Sequence, residues 1–410
     1  MLGLALVILT LGLLKAPVVY LYSGGNYLLA IVVNFTSTSQ YSQVYVINSS
    51  GWFNTNIIPN NGQGVLVTNT YQYGDQVYLL GFSNSGPLLI RFMLGNDYIT
   101  EITNLSNYLP VNLQPYALTV LNNTLYVFGV INGYASAFLV NLVKGNVINL
   151  TNVFKGIWSS STPVSAAVQG NSLLILAMSS DLTPLLGLLN GNGIKTINMP
   201  KIKGLPLGLF QLNNEALIPI MIIKQSSSSI PSMYLSGVVD SYTMGTSLLY
   251  YNNGTLFNLT NCINPSAVIF DVYWVNSTTA LLGGGIINDA TWEPYLSILN
   301  INYCKSVIIP INLNGAIFAV LNDWIGGGLN VLYNITTLLG EPFIMRINYT
   351  MSINNPAIQV MPSVQFSSIR GGAVTVSEVA VAIVLVAGLT ILILLMFKNQ
   401  GYLKAVSFIS

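Results

Sequence analysis

The residues that could carry out chemistry in this chain are few and widely spaced. The 410-residue sequence contains no histidine, so it lacks the most frequent general base and metal ligand of proteins. Four carboxylates, Asp271, Asp289, Glu293 and Asp323, occur in two consecutive repeats and could converge on a calcium ion or form a glycosidase-like acid pair. Solvated loops are the simpler placement, so we expect no catalytic residue, no metal site and no cofactor.

The two cysteines, Cys262 and Cys304, are the other reactive residues of the chain. They end comparable predicted strands in adjacent repeats. In an exported protein they would form a disulfide that ties these repeats together, and two buried free thiols are the alternative.

A repeated β pattern must position these side chains. Seven units each open with a turn of Gly, Asn, Asp or Ser, followed by two apolar strands and a shorter, more polar strand. The next unit then begins with another apolar run. In the stretch LNNTLYVFGVING, for example, Asn122-Asn123 is predicted to form a hairpin turn and Thr124 to Val130 a second strand. Four short strands per period of about 42 to 60 residues indicate β-propeller blades, with a β-sandwich pair or β-solenoid as the alternative.

One of these units resembles a known repeat family. Thr278 to Asn302, TTALLGGGIINDATWEPYLSILNIN, is similar to a kelch repeat, since an apolar strand ends in glycines and an aromatic residue and a second apolar strand follow. The resemblance is limited to this unit and implies a propeller without implying a partner. The longest unit carries an insert at residues 225–245, whose serine run and Pro231 predict an exposed loop.

Catalytic classes of propeller can be compared with this sequence. Kelch-type copper oxidases need histidine ligands, and sialidases need repeated aspartate boxes and an arginine triad. The part before residue 379 has only three arginines, Arg91, Arg346 and Arg370. Quinone-dependent dehydrogenases carry vicinal cysteines or tryptophan-docking repeats, which this chain lacks. We therefore expect a protein that is not an enzyme.

The two ends of the chain predict its topology. Residues 379–397 are uncharged and apolar, and at 1.5 Å per residue such a helix crosses the hydrocarbon core of a bilayer. Lys398 and Lys404 follow this segment and place the tail of residues 398–410 in the cytoplasm. Leu2 to Leu14 is an apolar run of signal-peptide length, with an uncleaved second anchor as the alternative.

These boundaries predict an all-β fold: a seven-bladed β-propeller with a C-terminal transmembrane α-helix. The segments are a signal peptide or N-terminal hydrophobic segment at 1–16, the propeller at 17–366, a linker at 367–378, the transmembrane helix at 379–397 and the tail.

Composition agrees with an exported chain. Only 6% of residues are charged and the net charge is +1, so we expect no nucleic-acid partner. Low charge with many Asn, Ser and Thr residues resembles the composition of exported surface proteins of thermoacidophilic archaea. Ten N-x-[ST] sequons are candidate glycosylation sites: Asn34, Asn48, Asn104, Asn122, Asn149, Asn253, Asn258, Asn276, Asn334 and Asn348.

The sequence therefore predicts a membrane-anchored extracellular binding or scaffolding module. Its partners would be the lipid bilayer, through the C-terminal helix, and a surface protein or glycan. An auxiliary subunit of a respiratory, transport or secretion complex is the first alternative. An exported hydrolase that works at low pH through the sparse carboxylates is the second.

Overall fold

The structure, a computed structural model, describes thirteen stretches of the chain. They are residues 18–24, 27–35, 40–48, 51–57, 65–83, 85–95, 99–191, 193–230, 239–288, 291–322, 324–329, 341–349 and 358–360. Within 18–66 and 223–243 the description covers the backbone only.

The described strands form seven antiparallel sheets, numbered here in chain order. Sheet 1 contains β1 (Val18–Gly24), β2 (Tyr27–Phe35), β3 (Gln40–Asn48) and β4 (Gly51–Ile57). Sheet 2 contains β5 (Val65–Tyr73), β6 (Gln76–Ser83), β7 (Gly86–Leu94) and β8 (Ile99–Asn104). Sheet 3 contains β9 (Gln114–Leu121), β10 (Thr124–Ile131), β11 (Tyr134–Asn141) and β12 (Asn146–Asn149). Sheet 4 contains β13 (Thr162–Gln169), β14 (Ser172–Met178), β15 (Pro184–Asn190) and β16 (Gly193–Ile197).

The remaining three sheets continue the same order. Sheet 5 contains β17 (Leu205–Pro206), β18 (Phe210–Leu212), β19 (Glu215–Ile230), β20 (Val239–Asn252) and β21 (Thr255–Asn258). Sheet 6 contains β22 (Ala267–Asn276), β23 (Thr279–Asn288), β24 (Thr291–Asn300) and β25 (Lys305–Ile308). Sheet 7 contains β26 (Gly315–Leu321), β27 (Trp324–Leu329), β28 (Glu341–Tyr349) and β29 (Ile358–Val360). Four 3-10 helices lie between strands, at Ser106–Tyr108, Thr151–Val153, Gly156–Trp158 and Thr260–Cys262.

Short asparagine turns connect the strands as the sequence predicts. Asn122 and Asn123 have φ values of 51° and 57°, and Asn253 has a φ of 47°. A two-residue hairpin turn needs positive φ, which asparagine tolerates better than most residues do. The predicted second strand at Thr124 to Val130 is confirmed, since β10 begins at Thr124 and extends one residue further.

Each sheet has an inner and an outer edge. The first strand contacts the first strand of neighbouring sheets, as β5 does with β9 and β9 with β13. The fourth strand is short and exposed, and all four residues of β12 are exposed. Separate apolar cores join sheets 2 and 3, 3 and 4, 4 and 5, 5 and 6, and 6 and 7. Stacking of neighbouring sheets therefore buries the faces that a single sheet would leave exposed.

The predicted fold class needs correction on two points. The described residues contain strands and 3-10 helices but no α-helix, and none of their helices is long and apolar enough to cross a membrane. Residues 379–397, where we expected the transmembrane helix, lie outside the described residues, as do residues 1–17.

The second correction concerns the number of blades. Side-chain packing is described for sheets 2 to 7, so the structure supports a propeller of six packed blades where the sequence predicted seven. Sheet 1 is described by its backbone pairing alone, with β1 next to β5 and β26. The turn pattern of residues 18–57 shows where strands pair, but packing against neighbours decides whether a sheet is a blade.

The insert at residues 225–245 also differs from its prediction as a loop. β19 and β20 stay paired beyond the sheet, as far as Ile230 opposite Val239, with one irregularity between Gln225 and Ser229. Apart from residues 231–238, which lie outside the described residues, the insert is therefore a two-stranded extension of sheet 5, and Ser226 to Ser229 lie in β19. Ser229 pairs with Asp240, and the three serines before it fall in the irregularity.

Five of the described inner strands contain a β-bulge, which the turns and apolar runs of the sequence do not predict. The registers of β5, β9, β13, β22 and β26 with their second strands shift at one corresponding residue each. These bulge residues are Thr68, Tyr116, Val164, Phe270 and Phe318, and β22 has a second shift at Val275. The spacing is 48 residues from sheet 2 to 3, from sheet 3 to 4 and from sheet 6 to 7, so the bulge is part of the repeat. Bulges turn a side chain out of the regular alternation of a strand.

Candidate functional site

The four carboxylates singled out by the sequence do not form a described acid pair. Asp271 is 5% exposed and holds two neighbouring strands together. Its Oδ1 accepts a hydrogen bond from the backbone N–H of Val272 (2.9 Å), and its Oδ2 accepts one from Val320 in sheet 7 (2.7 Å). Glu293 is exposed near the start of β24. Its partner in β23, Ile286, lies three residues along that strand from Gly283, the partner of Asp271. Asp289 and Asp323 lie outside the described residues.

No group of three or more potential metal ligands occurs among the residues that the structure describes. Asp271 therefore has a structural contact within the described part of the chain, because the two N–H groups that it accepts from belong to sheets 6 and 7. The expectation of no metal site stays a prediction for the chain as a whole.

The two cysteines are joined in a disulfide, as expected from the sequence. Cys262 ends the 3-10 helix that follows β21, and Cys304 ends the turn between β24 and β25. Their Cα atoms are 4.7 Å apart. The bond connects sheet 5 with sheet 6, beside a core that contains Leu259, Leu299 and Ile301.

The sequons fall into different structural settings. Asn122, Asn253 and Asn276 are exposed at or next to hairpin turns. Asn104, Asn149 and Asn258 are exposed at the last residue of β8, β12 and β21. Only the backbone is described at Asn34, Asn48 and Asn348, and Asn334 lies outside the described residues.

An apolar cluster at one end of the inner strands is the strongest candidate for a binding site. The bulges of β22 and β26 bring Phe270 and Phe318 together, with ring centroids 4.9 Å apart. Trp292 lies on the other side of Phe270, with centroids 5.5 Å apart. Leu207 and Ile287 belong to the same cluster and are half-buried like the two phenylalanines. We call these five residues the aromatic cluster.

The aromatic cluster draws its residues from three consecutive sheets. Leu207 comes from sheet 5, Phe318 from sheet 7 and the others from sheet 6, so the cluster exists only when the sheets pack side by side. Trp292 is 3% exposed, and its Nε1 is buried with no hydrogen-bond partner among the described residues. Buried indole N–H groups usually find an acceptor. Two partly exposed aromatic rings packed together are suited to hold an apolar group.

Sequence analysis did not find the aromatic cluster, although one signal pointed to it. The 48-residue spacing that relates successive turns also relates Phe270 to Phe318 and Tyr116 to Val164. The spacing alone does not show that these residues leave the strand alternation, because a bulge is set by pairing with the neighbouring strand.

The pKa shifts in the described part of the chain belong to residues outside the aromatic cluster. Burial, followed by the hydrogen bond and charge of Glu215, raises the pKa of Tyr250 to about 12. Hydrogen bonds from Thr103 and then Arg91 lower the pKa of the exposed Glu101 carboxyl. The five residues of the aromatic cluster carry no titratable side chain, so the cluster is a candidate for binding.

Comparison with known proteins gives similarity of fold at low sequence identity. No family model matches the chain. No curated protein sequence matches it either. Among solved structures, the β-propeller domain of the Trilobed protease from Pyrococcus furiosus, described as having an open velcro topology, is 8% identical with a TM-score of 0.49. That match covers 80% of this chain and 93% of the domain.

A second similar structure comes from work on two prolyl endopeptidases. It is 10% identical with a TM-score of 0.48, and the match covers 87% of this chain but 51% of the endopeptidase chain, so this protein spans about half of it. Both similar structures come from peptidases, so the prediction that the chain is not an enzyme is corrected and not retained. At these identities and scores the similarity concerns the fold and transfers no activity or residue.

Proposed function

We propose that the protein is a propeller binding module displayed outside a cell membrane, and that it holds an apolar group of a surface protein in its aromatic cluster. The observation that carries this proposal is the pairing of the half-buried Phe270 and Phe318 at 4.9 Å, next to Trp292, whose Nε1 has no hydrogen-bond partner in the described part of the chain. An apolar side chain would bury surface against the two rings, and a nearby carbonyl could accept from the indole.

The membrane location in this proposal is supported by sequence. Residues 379–397 are long and apolar enough for a bilayer span, and two lysines follow them. The exported setting is supported by the Cys262–Cys304 disulfide, because disulfides persist mainly outside the cytosol. Protease treatment of intact cells tests both points: exposed cleavage of the propeller supports the proposal, and full protection overturns it.

Cross-linking of the full chain in intact envelopes tests the binding role. We expect the double variant Phe270→Ala, Phe318→Ala to lose at least about tenfold of the captured partner, since deleting two aromatic contacts removes well over 1.4 kcal/mol of binding energy. The matched control is Tyr303→Ala. It removes an aromatic side chain that is 78% exposed and lies outside the aromatic cluster, in the turn between β24 and β25. Equal capture by the double variant and the control would show that the cluster does not bind the partner. If only glycan were captured, the proposed protein partner would be wrong and the partner would be a sugar.

An acid-active hydrolase is the second candidate function, and the peptidase origin of both similar structures is the reason for testing it. The purified full chain would be incubated with peptides and oligosaccharides at low and neutral pH. Turnover that Glu293→Gln abolishes, while Glu101→Gln leaves it unchanged, would favour the hydrolase. The pair is matched because both glutamates are exposed.

A further inference from the structure

A four-residue sequence, Asn-Leu-Ser/Thr-Asn, ends the fourth strand of three blades. It occurs at residues 104–107, 149–152 and 258–261. In each case the first asparagine is the last residue of the strand, and a 3-10 helix begins at the serine or threonine. We call these segments the strand-end motifs. Each of them is also a glycosylation sequon.

All three strand-end motifs make the same side-chain hydrogen bond within the segment. The asparagine Oδ1 accepts from the backbone N–H two residues later, at 2.9 Å for Asn104, 2.8 Å for Asn149 and 2.9 Å for Asn258. Such Asx turns fix the backbone of the asparagine and of the residue after it. The Nδ2 of each exposed asparagine takes no part in this bond.

The motifs also attach to the third strand of their own blade through two bonds to a single residue. In sheet 3, the N–H of Leu150 donates to the carbonyl of Ala137 (2.8 Å), and Thr151 Oγ1 accepts from the N–H of Ala137 (3.3 Å). The corresponding distances in the other two sheets fall in the same range. They are 2.8 and 3.0 Å for Leu105 and Ser106 on Leu89, and 2.8 and 3.1 Å for Leu259 and Thr260 on Leu248. The sequon hydroxyl therefore satisfies a backbone N–H that would otherwise lose its partner.

Two of the three strand-end motifs are followed by a contact with the next blade. Cys262, two residues after Thr260, forms the disulfide to Cys304 in the turn of sheet 6. At the equivalent position in sheet 2, the hydroxyl oxygen of Tyr108 lies next to Gly145, in the turn of sheet 3. A Cβ atom at Gly145 would be 3.7 Å from this oxygen. Opening a motif would therefore loosen both the end of a blade and its junction with the next blade.

Three other sequons have their hydroxyls in a different setting. Thr278 Oγ1 donates to Oδ1 of its own sequon asparagine, Asn276 (3.0 Å), and Thr124 Oγ1 donates to the carbonyl of Asn122 (3.4 Å). Thr255, in the sequon of Asn253, is exposed. We call Asn122, Asn253 and Asn276 the turn sequons. Neither of these two bonds connects the sequon hydroxyl to a neighbouring strand.

We propose that the turn sequons are the N-glycan acceptors of the folded chain and that the strand-end motifs are spared, because their hydroxyls serve the fold. This inference rests on the exported location proposed above. In the transfer, Asn Nδ2 forms a bond to the anomeric carbon of a glycosyl phosphate donor. The bond from that carbon to the phosphate oxygen breaks, the phosphate leaves with the electron pair, and the amide loses one proton.

The strand-end motifs are spared because a transferase requires the sequon to open locally. An enzyme must bind both the acceptor amide and the hydroxyl of the sequon. The asparagine is exposed in both groups, and Asn276 makes the same Asx bond (2.9 Å) as the strand-end motifs. At a strand-end motif, however, binding also requires the two bonds to the third strand to break and a leucine to leave its packed position, whereas the hydroxyls of Thr124 and Thr278 bond locally. We expect glycan occupancy to be at least about tenfold higher at the turn sequons, since the open state of a motif is correspondingly rare.

Glycopeptide mass spectrometry on the full chain from native envelopes measures occupancy at all six sites. Glycans at Asn122, Asn253 and Asn276 with unmodified Asn104, Asn149 and Asn258 would support the inference. Occupied strand-end motifs, or turn sequons without glycan on a chain that proteases reach from outside, would overturn it while leaving the proposed function intact. A chain protected from external protease would overturn both.

A pair of variants tests the structural half without any glycan. In unglycosylated full-length protein, Thr151→Val should lower the melting temperature by several degrees, because Ala137 N–H loses its acceptor. Thr278→Val removes a sequon hydroxyl that bonds only within its turn and should change the melting temperature by about a degree or less. Thr151→Ser keeps the hydroxyl and should restore stability. Equal melting temperatures for Thr151→Val and Thr278→Val would contradict the structural role.

Discussion

Replacement of Gly284 by alanine tests the close packing that creates the aromatic cluster. Gly284 lies in β23 opposite Ile269, next to the bulge at Phe270. A Cβ atom at Gly284 would lie 1.9 Å from the carbonyl oxygen of Val268 and 3.1 Å from the Cα of Ile269. Both contacts are with backbone, so no side-chain rotation can relieve them and the two strands would have to separate.

The magnitude follows from two opposing effects. Inserting atoms into a packed core costs about 1–3 kcal/mol, and a backbone collision belongs at the upper end of that range. Alanine restricts the unfolded chain and returns about 0.4–1 kcal/mol. We therefore expect Gly284→Ala to lower the free energy of unfolding by about 2 kcal/mol.

Gly193→Ala is the control, because it places alanine in a strand where a Cβ atom meets no described heavy atom. Gly193 begins β16, has no left-handed φ, and has no heavy atom within 4 Å of the position of a Cβ. Its replacement should leave stability unchanged or raise it by up to about 1 kcal/mol.

Urea titration of the purified full chain, followed by tryptophan fluorescence, measures both variants against the unmodified protein. A loss of less than about 0.5 kcal/mol in Gly284→Ala would refute the reasoning. So would an equal loss in Gly193→Ala, since the effect would then come from alanine in a strand and not from the collision.

Three further predictions concern groups that stabilise the blades. Asp271→Asn should lower the free energy of unfolding by about 2 kcal/mol, because one of the two backbone N–H groups that donate to Asp271 loses a charged acceptor. In the same urea titration, Asp181→Asn at the surface should leave the free energy of unfolding nearly unchanged. Reduction of Cys262–Cys304, or the double serine variant, should cost at most about 4 kcal/mol from the entropy of the unfolded loop; melting curves with and without reductant measure this, and an unchanged curve would contradict it. The folded-state pKa of Tyr250 is about 12, above its ordinary value, so its contribution to stability is complete below about pH 10 and is lost as the pH rises toward 12. Absorbance titration should show a late tyrosine step that disappears in Tyr250→Phe, and a profile unaltered by this replacement would count against the assignment.

Much of the local structure could be predicted from sequence. The Asn122-Asn123 turn and β10 after it follow from asparagine's tolerance of positive φ and from an apolar run of strand length. The Cys262–Cys304 pairing followed from their comparable positions in neighbouring repeats, and the structure joins them. Strand order within each sheet is also a local property, because consecutive strands connected by short turns pair with each other.

Predictions that depended on packing between distant segments were less successful. The serine run near residue 226 indicated a loop, but β19 continues through it and pairs with β20 again from Ser229. The number of packed blades and the transmembrane helix of the predicted fold class were not supported in the described residues. Solvated loops were expected for the carboxylates, but Asp271 is buried in β22 against sheet 7, whereas Glu293 is exposed.

The sequence by itself determined an all-β chain, its four-strand period and its turns, because strand alternation and turn conformation depend on neighbouring residues. Only the tertiary structure decided which residues form a site. Phe270 and Phe318 meet because two bulged inner strands pack side by side, and the sequon hydroxyl of Thr151 is committed to Ala137 because the chain turns back onto its own third strand. Such contacts join residues that are tens of positions apart, and no local preference encodes them.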